Sequence, residues 1–230
     1  MISIVCVYND RRILEDYLMR SLKRQNAAFE LLCIDNTDGR HLSAPAILNW
    51  TASGAKHDYI MFVHPDVELR SSTWLSDVEA WMEKLKDSGA AGVAGKDPCG
   101  NLHASIWQGS PARFIGPGTL RVPMEVQTLD GCLLIVPRSV FRRVRFDQET
   151  CTGWHLYVAD YCLALRRFRY KVHVLPNAIY HKSHGPADCR IYEKTVSNMI
   201  RKYRGEMPTI YTTVGEWSTD SATPRPDDCN

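Results

Sequence analysis

Short apolar runs rich in β-branched residues alternate, in the first half of the chain, with segments whose apolar residues recur at helical spacing. The runs predict buried strands at 2–7, 29–35 and 58–63. The intervening segments predict amphipathic helices at 8–25, 43–56 and 72–87. Asp10 is suited to cap the first of these helices. This alternation indicates an α/β fold, with a central, mostly parallel sheet flanked by helices.

The hydrophobic pattern is less regular in the second half of the chain. Strands are predicted at 90–95, 126–136 and 171–176, the second of them interrupted at Asp130–Gly131, and helices at 156–168 and 188–204. Residues 96–125 are rich in Gly and Pro and predict an irregular or hairpin segment. We therefore expect one domain over residues 1–205 and a partly irregular C-terminal tail over 206–230.

Polar residues directly follow each of the three predicted N-terminal strands. Right-handed crossovers bring the carboxyl ends of parallel strands to one edge of a sheet, where ligands of open α/β sheets bind. The residues concerned are Tyr8, Asn9 and Asp10, then Asp35 and Asn36, then His64 and Asp66. We expect these three clusters to line one cleft.

Composition excludes several classes of protein. With 28 basic and 26 acidic residues the net charge is +2, which gives no electrostatic case for binding nucleic acid. No apolar run is long enough to span a bilayer, and the N-terminus does not resemble a signal peptide. We expect a cytoplasmic protein, with peripheral contact at the inner membrane face left open. The eight cysteines include no CxxC pair and are expected to be free thiols.

Three carboxylates are candidates for chemistry, and each also has a purely structural explanation. Asp66 and His64 are both potential ligands of a divalent metal, or Asp66 only caps the next helix. Asp35 and its neighbour Asn36 suit recognition of a base or ribose, or belong to an ordinary turn. Asp160 is either a general base or an acid placed favourably near a helix start.

Motifs of competing nucleotide and hydrolase folds are absent from the sequence. There is no GxGxxG after the first strand, no GxxxxGK[ST] and no GxSxG. A dinucleotide-binding fold, a P-loop and a nucleophile elbow are therefore disfavoured.

Five segments, in this order, resemble the family-two-like glycosyltransferases with a GT-A fold, specifically their short prokaryotic subgroup. They cover roughly residues 1–185 and read ISIVCVYNDRRILEDYLMRSL, ELLCIDNTDG, ILNWTASGAKHDYIMFVHPDVEL, VQTLDGCLLIVPRSVF and FDQETCTGWHLYVADYCLALRRFRYKVHVLP, the last followed by HKSHG. The resemblance implies transfer of a sugar from a nucleotide-diphosphate sugar to an acceptor hydroxyl.

The resemblance also assigns roles to residues. Nucleotide binding is implied for Val7, Tyr8, Asn9, Asp35, Asn36, Asn49 and His64. Contact with the donor sugar or the acceptor is implied for Asp130, Gly131, Trp154 and His155. A divalent metal, Mn²⁺ or Mg²⁺, would be held by Asp66, His64 and His181, and Asp160 would be the general base of an inverting reaction. Two departures stand out: His64-Pro65-Asp66 replaces the family's Asp-x-Asp, and Asp160 lacks an adjacent carboxylate.

The expected donor is a UDP-sugar, and the expected acceptor is a glycan or a lipid-linked molecule in polysaccharide biosynthesis. The departure at His64 keeps open an alternative, a nucleotide-sugar-binding protein of the same fold with little or no transfer activity. A nucleotidyltransferase is a third possibility, because Arg11 and Arg12 follow the first strand.

Overall fold

The computed structural model describes residues 1–182 and 189–220. In chain order its strands are β1 (Ile2–Tyr8), β2 (Phe29–Asp35), β3 (Tyr59–Val63), β4 (Val67–Leu69), β5 (Ser88–Gly92), β6 (Ala94–Lys96), β7 (Leu102–Ala104), β8 (Ile106–Gln108), β9 (Arg113–Ile115), β10 (Met124–Glu125), β11 (Thr128–Leu129), β12 (Leu133–Pro137), β13 (Lys171–Val174), β14 (Ile179–His181), β15 (Thr209–Thr212) and β16 (Gly215–Ser218). Its helices are α1 (Arg11–Leu14, a π-helical turn at Glu15–Met19, and Arg20–Leu22), α2 (Ala44–Ala52), α3 (Trp74–Lys84), α4 (Arg138–Phe141), α5 (Tyr157–Arg167) and α6 (Cys189–Tyr203).

Seven strands form the central sheet, in the order β10-β13-β5-β12-β3-β1-β2. β1 pairs in parallel with β2 and β3, and β13 pairs in parallel with β5. β12 lies between β3 and β5 and is antiparallel to both. The predicted α/β fold is confirmed, and β12 and the edge strand β10 add antiparallel pairs to the sheet.

Strand β1 has apolar side chains buried on both faces of the sheet. Ile4 and Cys6 pack in the cluster that contains apolar residues of α1 and α3. Val5 and Val7 pack in the cluster that contains apolar residues of α2 and α5. Since successive strand residues point to opposite faces, the continuous apolar run at residues 4–7 packs against helices on both sides of the sheet.

The turn from β1 into α1 is fixed by Asp10, as predicted. Its Oδ1 accepts hydrogen bonds from the backbone N–H groups of Arg12, at 2.8 Å, and Ile13, at 3.2 Å. These bonds satisfy two of the donors that a helix start leaves free. The helix therefore begins immediately after the polar residues that end β1.

The carboxyl ends of β1, β2 and β3 lie at one edge of the sheet. Tyr8 at the end of β1 is in register with Asp35 at the end of β2. Val5 of β1 is in register with Phe62, so β3 reaches the same edge and continues into His64. This parallel register brings the predicted polar clusters to one side of the molecule.

A second sheet, in the order β4-β14-β8-β9, lies next to this edge. β4 was not predicted, because its three residues directly follow the polar turn after β3. β4 and β14 are antiparallel, with His181 opposite Val67, and the N–H of Lys182 donates to the carbonyl of Asp66 at 3.1 Å. The pairing joins two segments that are far apart in the sequence.

The segment after α6 forms a hairpin within the range expected to be a partly irregular tail. β15 and β16 pair antiparallel, with Thr212 opposite Gly215. Ile210 and Trp217 of the hairpin pack with Met199 and Tyr203 of α6 and with Leu163 of α5. Residues 221–230, the rest of the predicted tail, and residue 188, the predicted start of α6, lie outside the described residues.

Two expectations from composition concern membranes and thiols. Among helices α1–α6, as far as the structure describes them, none is long and apolar enough to cross a bilayer. The six cysteines whose side chains are described are free thiols.

We predict that Leu134→Ala lowers the free energy of unfolding by about 2–5 kcal/mol, because it leaves a cavity in the central strand β12. Leu134 is fully buried, whereas Leu42 is 78% exposed. The matched change Leu42→Ala should alter the free energy of unfolding by no more than about 0.5 kcal/mol. Urea denaturation of both variants measures the difference, and equal losses would contradict the assigned core.

Candidate active site

Three potential metal ligands, His64, Asp66 and His181, meet at the carboxyl edge of the central sheet. One ligand atom from each residue lies within 4.8 Å of the others. His64 directly follows β3, and its N–H donates to the carbonyl of Cys132 at 2.9 Å. His181 ends β14, and the β4–β14 pairing sets it beside Asp66. The structure thus brings together the three residues predicted to hold a metal, which we call the metal cluster.

The metal cluster contains a buried nitrogen atom that is suited to bind a metal ion. Nε2 of His181 lies 3.4 Å from Oδ1 of Asp66, but it is buried and has no hydrogen-bond partner among the described residues. The His64 and His181 rings have centroids 5.7 Å apart. An unpaired buried nitrogen costs free energy unless something binds it. Two imidazoles and a carboxylate fit a divalent transition-metal ion.

The charges of the metal cluster are coupled. Burial alone would raise the pKa of Asp66, but the nearby His181 and His64 outweigh burial and lower that pKa. Burial alone would lower the pKa of His181, but Asp66 raises that pKa above its usual value. The pKa of His64 is lowered, first by burial and then by His181, so His64 is held neutral, as a metal ligand must be.

Asp130 lies beside the metal cluster, in the break between β11 and β12. Its Oδ1 accepts from the N–H of Cys132 at 2.9 Å, and its Oδ2 accepts from Thr213 Oγ1 at 2.6 Å. These bonds keep the pKa of Asp130 below its usual value despite burial, which alone would raise it. The carbonyl of the neighbouring Gly131 is 3.5 Å from the hydroxyl of Tyr157. A fixed, ionised carboxylate is therefore next to the cluster.

Tyr8 and Asp35 form the other predicted part of the edge. The hydroxyl of Tyr8 donates to Oδ2 of Asp35 at 3.0 Å. Oδ1 of Asp35 accepts from the backbone and hydroxyl of Thr37, and these two bonds, followed by the bond from Tyr8, lower the pKa of Asp35. Val7 is buried in the core and Asn9 is exposed. The exposed, ionised Asp35 is accessible to a ligand.

His41, which was not predicted, connects Asn36 to Trp154. Oδ1 of Asn36 accepts from the N–H of His41 at 2.8 Å. The carbonyl of His41 accepts from Nδ2 of Asn36, at 3.1 Å, and from Nε1 of Trp154, at 3.2 Å. The only sign of His41 in the sequence was its position in the polar stretch after β2, where it was one polar residue among several.

His155, predicted to contact the donor sugar or the acceptor, packs near α6. The centroid of its ring lies 6.0 Å from that of Tyr192.

The contacts of Asn49, predicted to line the nucleotide pocket, are structural. Its Nδ2 donates to the carbonyl of Phe146 at 2.8 Å, and its Oδ1 accepts from the N–H of Phe146 at 3.1 Å. Since the side-chain amide pairs with one backbone unit on both sides, Asn49 fastens α2 to the segment after α4. The amide does not join the residues at the sheet edge.

Asp160, predicted to be the general base, is bound by residues of α6. Nζ of Lys202 lies 2.7 Å from Oδ1 and 2.9 Å from Oδ2, and the hydroxyl of Tyr203 donates to Oδ1 at 2.9 Å. Lys202 also contacts Asp147, at 2.8 Å. Asp160 is only 1% exposed. These contacts form an ion-pair network that anchors α6 to α5.

The sequence profile of the family described as "Glycosyltransferase like family" matches residues 2–203. A relative from Fuscovulum blasticum, named "ATP synthase subunits region ORF 6", is 26% identical over 224 residues, covering 90% of this chain and 85% of the relative.

Solved glycosyltransferase structures share the fold at low sequence identity. A fragment of S. aureus TarS in complex with UDP-GlcNAc is 13% identical, with a TM-score of 0.61 over 89% of this chain. Mannosyltransferase PcManGT of Pyrobaculum calidifontis, in complex with GDP-Man and Mn²⁺, is 12% identical, with a TM-score of 0.60 over 87%. GalNAc-T7 with UDP, GalNAc and Mn²⁺ is 12% identical, with a TM-score of 0.62 over 88%. The chain spans 66%, 63% and 48% of those three structures. The predicted GT-A fold is confirmed.

We predict that Lys202→Met lowers the free energy of unfolding by about 3–5 kcal/mol, because it leaves the buried Asp160 without its cation. Lys194 is exposed on the same helix, and Lys194→Met should change stability by no more than about 0.5 kcal/mol. Chemical denaturation of the two variants measures both effects. Equal stability of the two proteins would contradict the anchoring role.

We predict that Mn²⁺ binding weakens as the pH falls from about 8 to about 5.5. Because Asp66 raises the pKa of His181, a proton competes with the metal for that imidazole at a higher pH than for an ordinary histidine. Titration with Mn²⁺ followed by electron paramagnetic resonance measures the affinity at each pH. His181→Asn should lose most of the affinity and most of its pH dependence. An affinity that is constant across this range would contradict the assignment of His181 as a ligand.

Proposed function

Because the chain belongs to the glycosyltransferase-like family, we propose that it transfers a sugar from a nucleotide-diphosphate sugar to an acceptor hydroxyl in a metal-dependent reaction. The observation that carries this proposal is the metal cluster, located at the same sheet edge as Tyr8 and Asp35. A nucleotide-sugar site needs a group for the base or ribose and a cation for the diphosphate, and this edge provides candidates for both.

The donor atoms of the metal cluster favour Mn²⁺ over Mg²⁺. Mg²⁺ prefers oxygen ligands and keeps several waters, whereas imidazole ligands suit transition metals. Two of the three candidate ligands are histidines, with His64 standing in the first position of the family's acidic motif. The complexes of PcManGT and GalNAc-T7 both contain Mn²⁺, which supports the same choice here.

Each group at the edge has a separate proposed task. His64, Asp66 and His181 would hold the ion, which when bound supplies positive charge for a departing diphosphate. Asp35, with Tyr8 and Asn36, would bind the base or ribose through its exposed carboxylate. Asp130, bound on both oxygens, would present a fixed carboxylate to the sugar. Contact of Trp154 and His155 with the acceptor stays a prediction. The choice of UDP as the nucleotide and of a glycan or lipid-linked molecule as the acceptor also stays a prediction.

A more specific hypothesis is that the reaction inverts the anomeric carbon and that Asp160 is its general base. This hypothesis requires a structural change around Asp160. An acceptor hydroxyl could give its proton to Asp160 only if Lys202 and Tyr203 released the carboxylate and the helix start opened. The contacts of Asp160 favour the anchoring role, so the proposal of sugar transfer does not depend on this residue.

A second candidate is a protein that binds a nucleotide sugar but transfers it slowly or not at all. This candidate is favoured if transfer needs Asp160 as its base, since the buried ion pair with Lys202 keeps that carboxylate from solvent. Both candidates require a nucleotide site, and only turnover separates them.

We predict that UDP or GDP binds with Mn²⁺ at least about tenfold more tightly than with Mg²⁺ or a chelator. Calorimetric titration of each nucleotide under the three conditions measures the affinities. Asp66→Asn should abolish the advantage of Mn²⁺ because it removes the only carboxylate of the cluster. Asp87→Asn is the matched control, since Asp87 is exposed, pairs with Lys171 and directly precedes β5, at the opposite edge of the sheet.

Products identify the reaction that follows binding. Nucleoside diphosphate released from UDP-GlcNAc or GDP-mannose would support sugar transfer or its hydrolytic side reaction. Binding with no release would support the second candidate, and release of pyrophosphate would identify a nucleotidyltransferase. Nucleotide binding that is the same with Mn²⁺ and with chelator would contradict a role for the cluster.

A further inference from the structure

The hairpin of β15 and β16 lies outside the family match, which ends at residue 203, yet it contacts the candidate active site. Thr213 is in the two-residue turn between the strands. Its Oγ1 donates to Oδ2 of Asp130 at 2.6 Å, a short bond of the kind that a hydroxyl makes to a carboxylate. The contact joins a segment beyond the family match to the carboxylate beside the metal cluster.

The hairpin is attached to the strand that leads directly to Asp130. The side chain of Gln127 accepts from the N–H of Tyr211 at 2.7 Å and donates to the carbonyl of Thr209 at 2.9 Å. The hydroxyl of Thr128 donates to the carbonyl of Tyr211. Gln127 and Thr128 are both buried. The position of the turn relative to Asp130 is therefore set by hydrogen bonds to neighbouring residues.

The turn itself lacks the residues that make tight hairpins stable on their own. The favoured two-residue turns need a positive φ, which Gly and Asn adopt easily. Neither Thr213 nor Val214 has a positive φ. The hairpin thus depends on its contacts with the rest of the chain, and Thr213 is the turn residue that supplies a hydroxyl to Asp130.

Asp130 is a carboxylate whose two oxygens are held from different parts of the chain. Cys132 N–H binds Oδ1, and the carbonyl of the same Cys132 accepts from His64. Without the bond from Thr213, the carboxylate would keep one anchor and could rotate about it. Asp130 also lies near enough to His64 and His181 for its negative charge to act on both imidazoles.

We propose that Thr213 is a positioning residue of the sugar-transfer site, which fixes Asp130 in the orientation that the donor sugar requires. This inference rests on the proposed function and deepens it, because it makes the C-terminal hairpin part of the site. A small displacement of a group that positions the reacting sugar lowers turnover strongly. The same displacement leaves the binding of distant parts of the substrate unaffected. The nucleotide is such a distant part, because its proposed contacts are Tyr8 and Asp35 and not Thr213 or Asp130.

The test compares three substitutions in the hairpin. Thr213→Val removes the hydroxyl at nearly constant volume, and Thr213→Ser retains it. Thr209→Val in β15 is the control, because Thr209 is bonded to Gln127 through its backbone carbonyl, and its hydroxyl has no partner among the described residues. Turnover is measured with whichever of UDP-GlcNAc and GDP-mannose the wild-type protein consumes, and binding is measured with Mn²⁺ and the corresponding nucleoside diphosphate.

Thr213→Val should lower kcat at least about tenfold and leave the Kd of the nucleoside diphosphate within about twofold. Thr213→Ser should recover most of the turnover, and Thr209→Val should retain it. Hydrogen exchange of the Cys132 amide, whose acceptor is Oδ1 of Asp130, should become faster in Thr213→Val and stay slow in Thr213→Ser.

Three results would overturn the proposal: full turnover by Thr213→Val, equal loss of turnover in Thr209→Val, or unchanged exchange of the Cys132 amide in Thr213→Val. Failure of the proposed function would be recognised separately, as absence of nucleotide binding and turnover in the wild-type protein. The exchange measurement needs no substrate, so it tests the link from Thr213 to Asp130 even in that event.

Discussion

The candidate site depends on the short antiparallel ladder between β4 and β14. The ladder is only three residues long, yet it is the contact that sets His181 beside Asp66. The central sheet alone would provide His64 and Asp66, which lie in one turn after β3. A buried carboxylate with a single imidazole neighbour would be a poorer metal site, because two protein ligands hold an ion weakly compared with three. The ladder therefore converts a strand end into a potential binding site, and it does so through backbone hydrogen bonds.

Two carboxylates, the buried Asp160 and the partly buried Asp130, attach the C-terminal segment to the rest of the domain. Asp130 receives a hydroxyl from the hairpin, and Asp160 receives an ammonium and a hydroxyl from α6. A buried carboxylate without partners is strongly destabilising, so residues that satisfy it must be retained in place. The same physical need has different consequences at the two positions. The contacts of Asp160 hold α6 against α5. The contacts of Asp130 hold its own carboxylate next to the metal cluster.

The parts of the structure that the sequence predicts well are those with a strong local pattern. The runs in β1, β2 and β3 are mostly apolar, with Ser3 and Glu30 as the polar exceptions before the strand ends, and the polar residues after them had to lie at one edge once the strands were parallel. β4 was missed because VEL is too short to form a pattern of its own. The pairing of Asn49 with Phe146 could not be predicted, because an amide that faces a backbone unit of a distant segment has the same sequence signature as an amide that faces a ligand. Likewise, the burial of Asp160 depends on Lys202 of α6, which no local pattern reveals. The hairpin was missed because its strands, TIYT and GEWS, mix polar and apolar residues.

The antiparallel insertion of β12 has a consequence for how the chain reaches this structure. β12 separates β3 from β5, although β3 and β5 precede it in the chain. As the chain leaves the ribosome, β1, β2 and β3 can pair among themselves, but one side of β3 has no partner until residues 133–137 have emerged. Its apolar side chains and free backbone groups form an open edge in that interval, of the kind that pairs with other chains. The same step orders the Asp130–Cys132 turn against His64, whereas His181 and Thr213 can join that edge only after β14 and the hairpin have emerged.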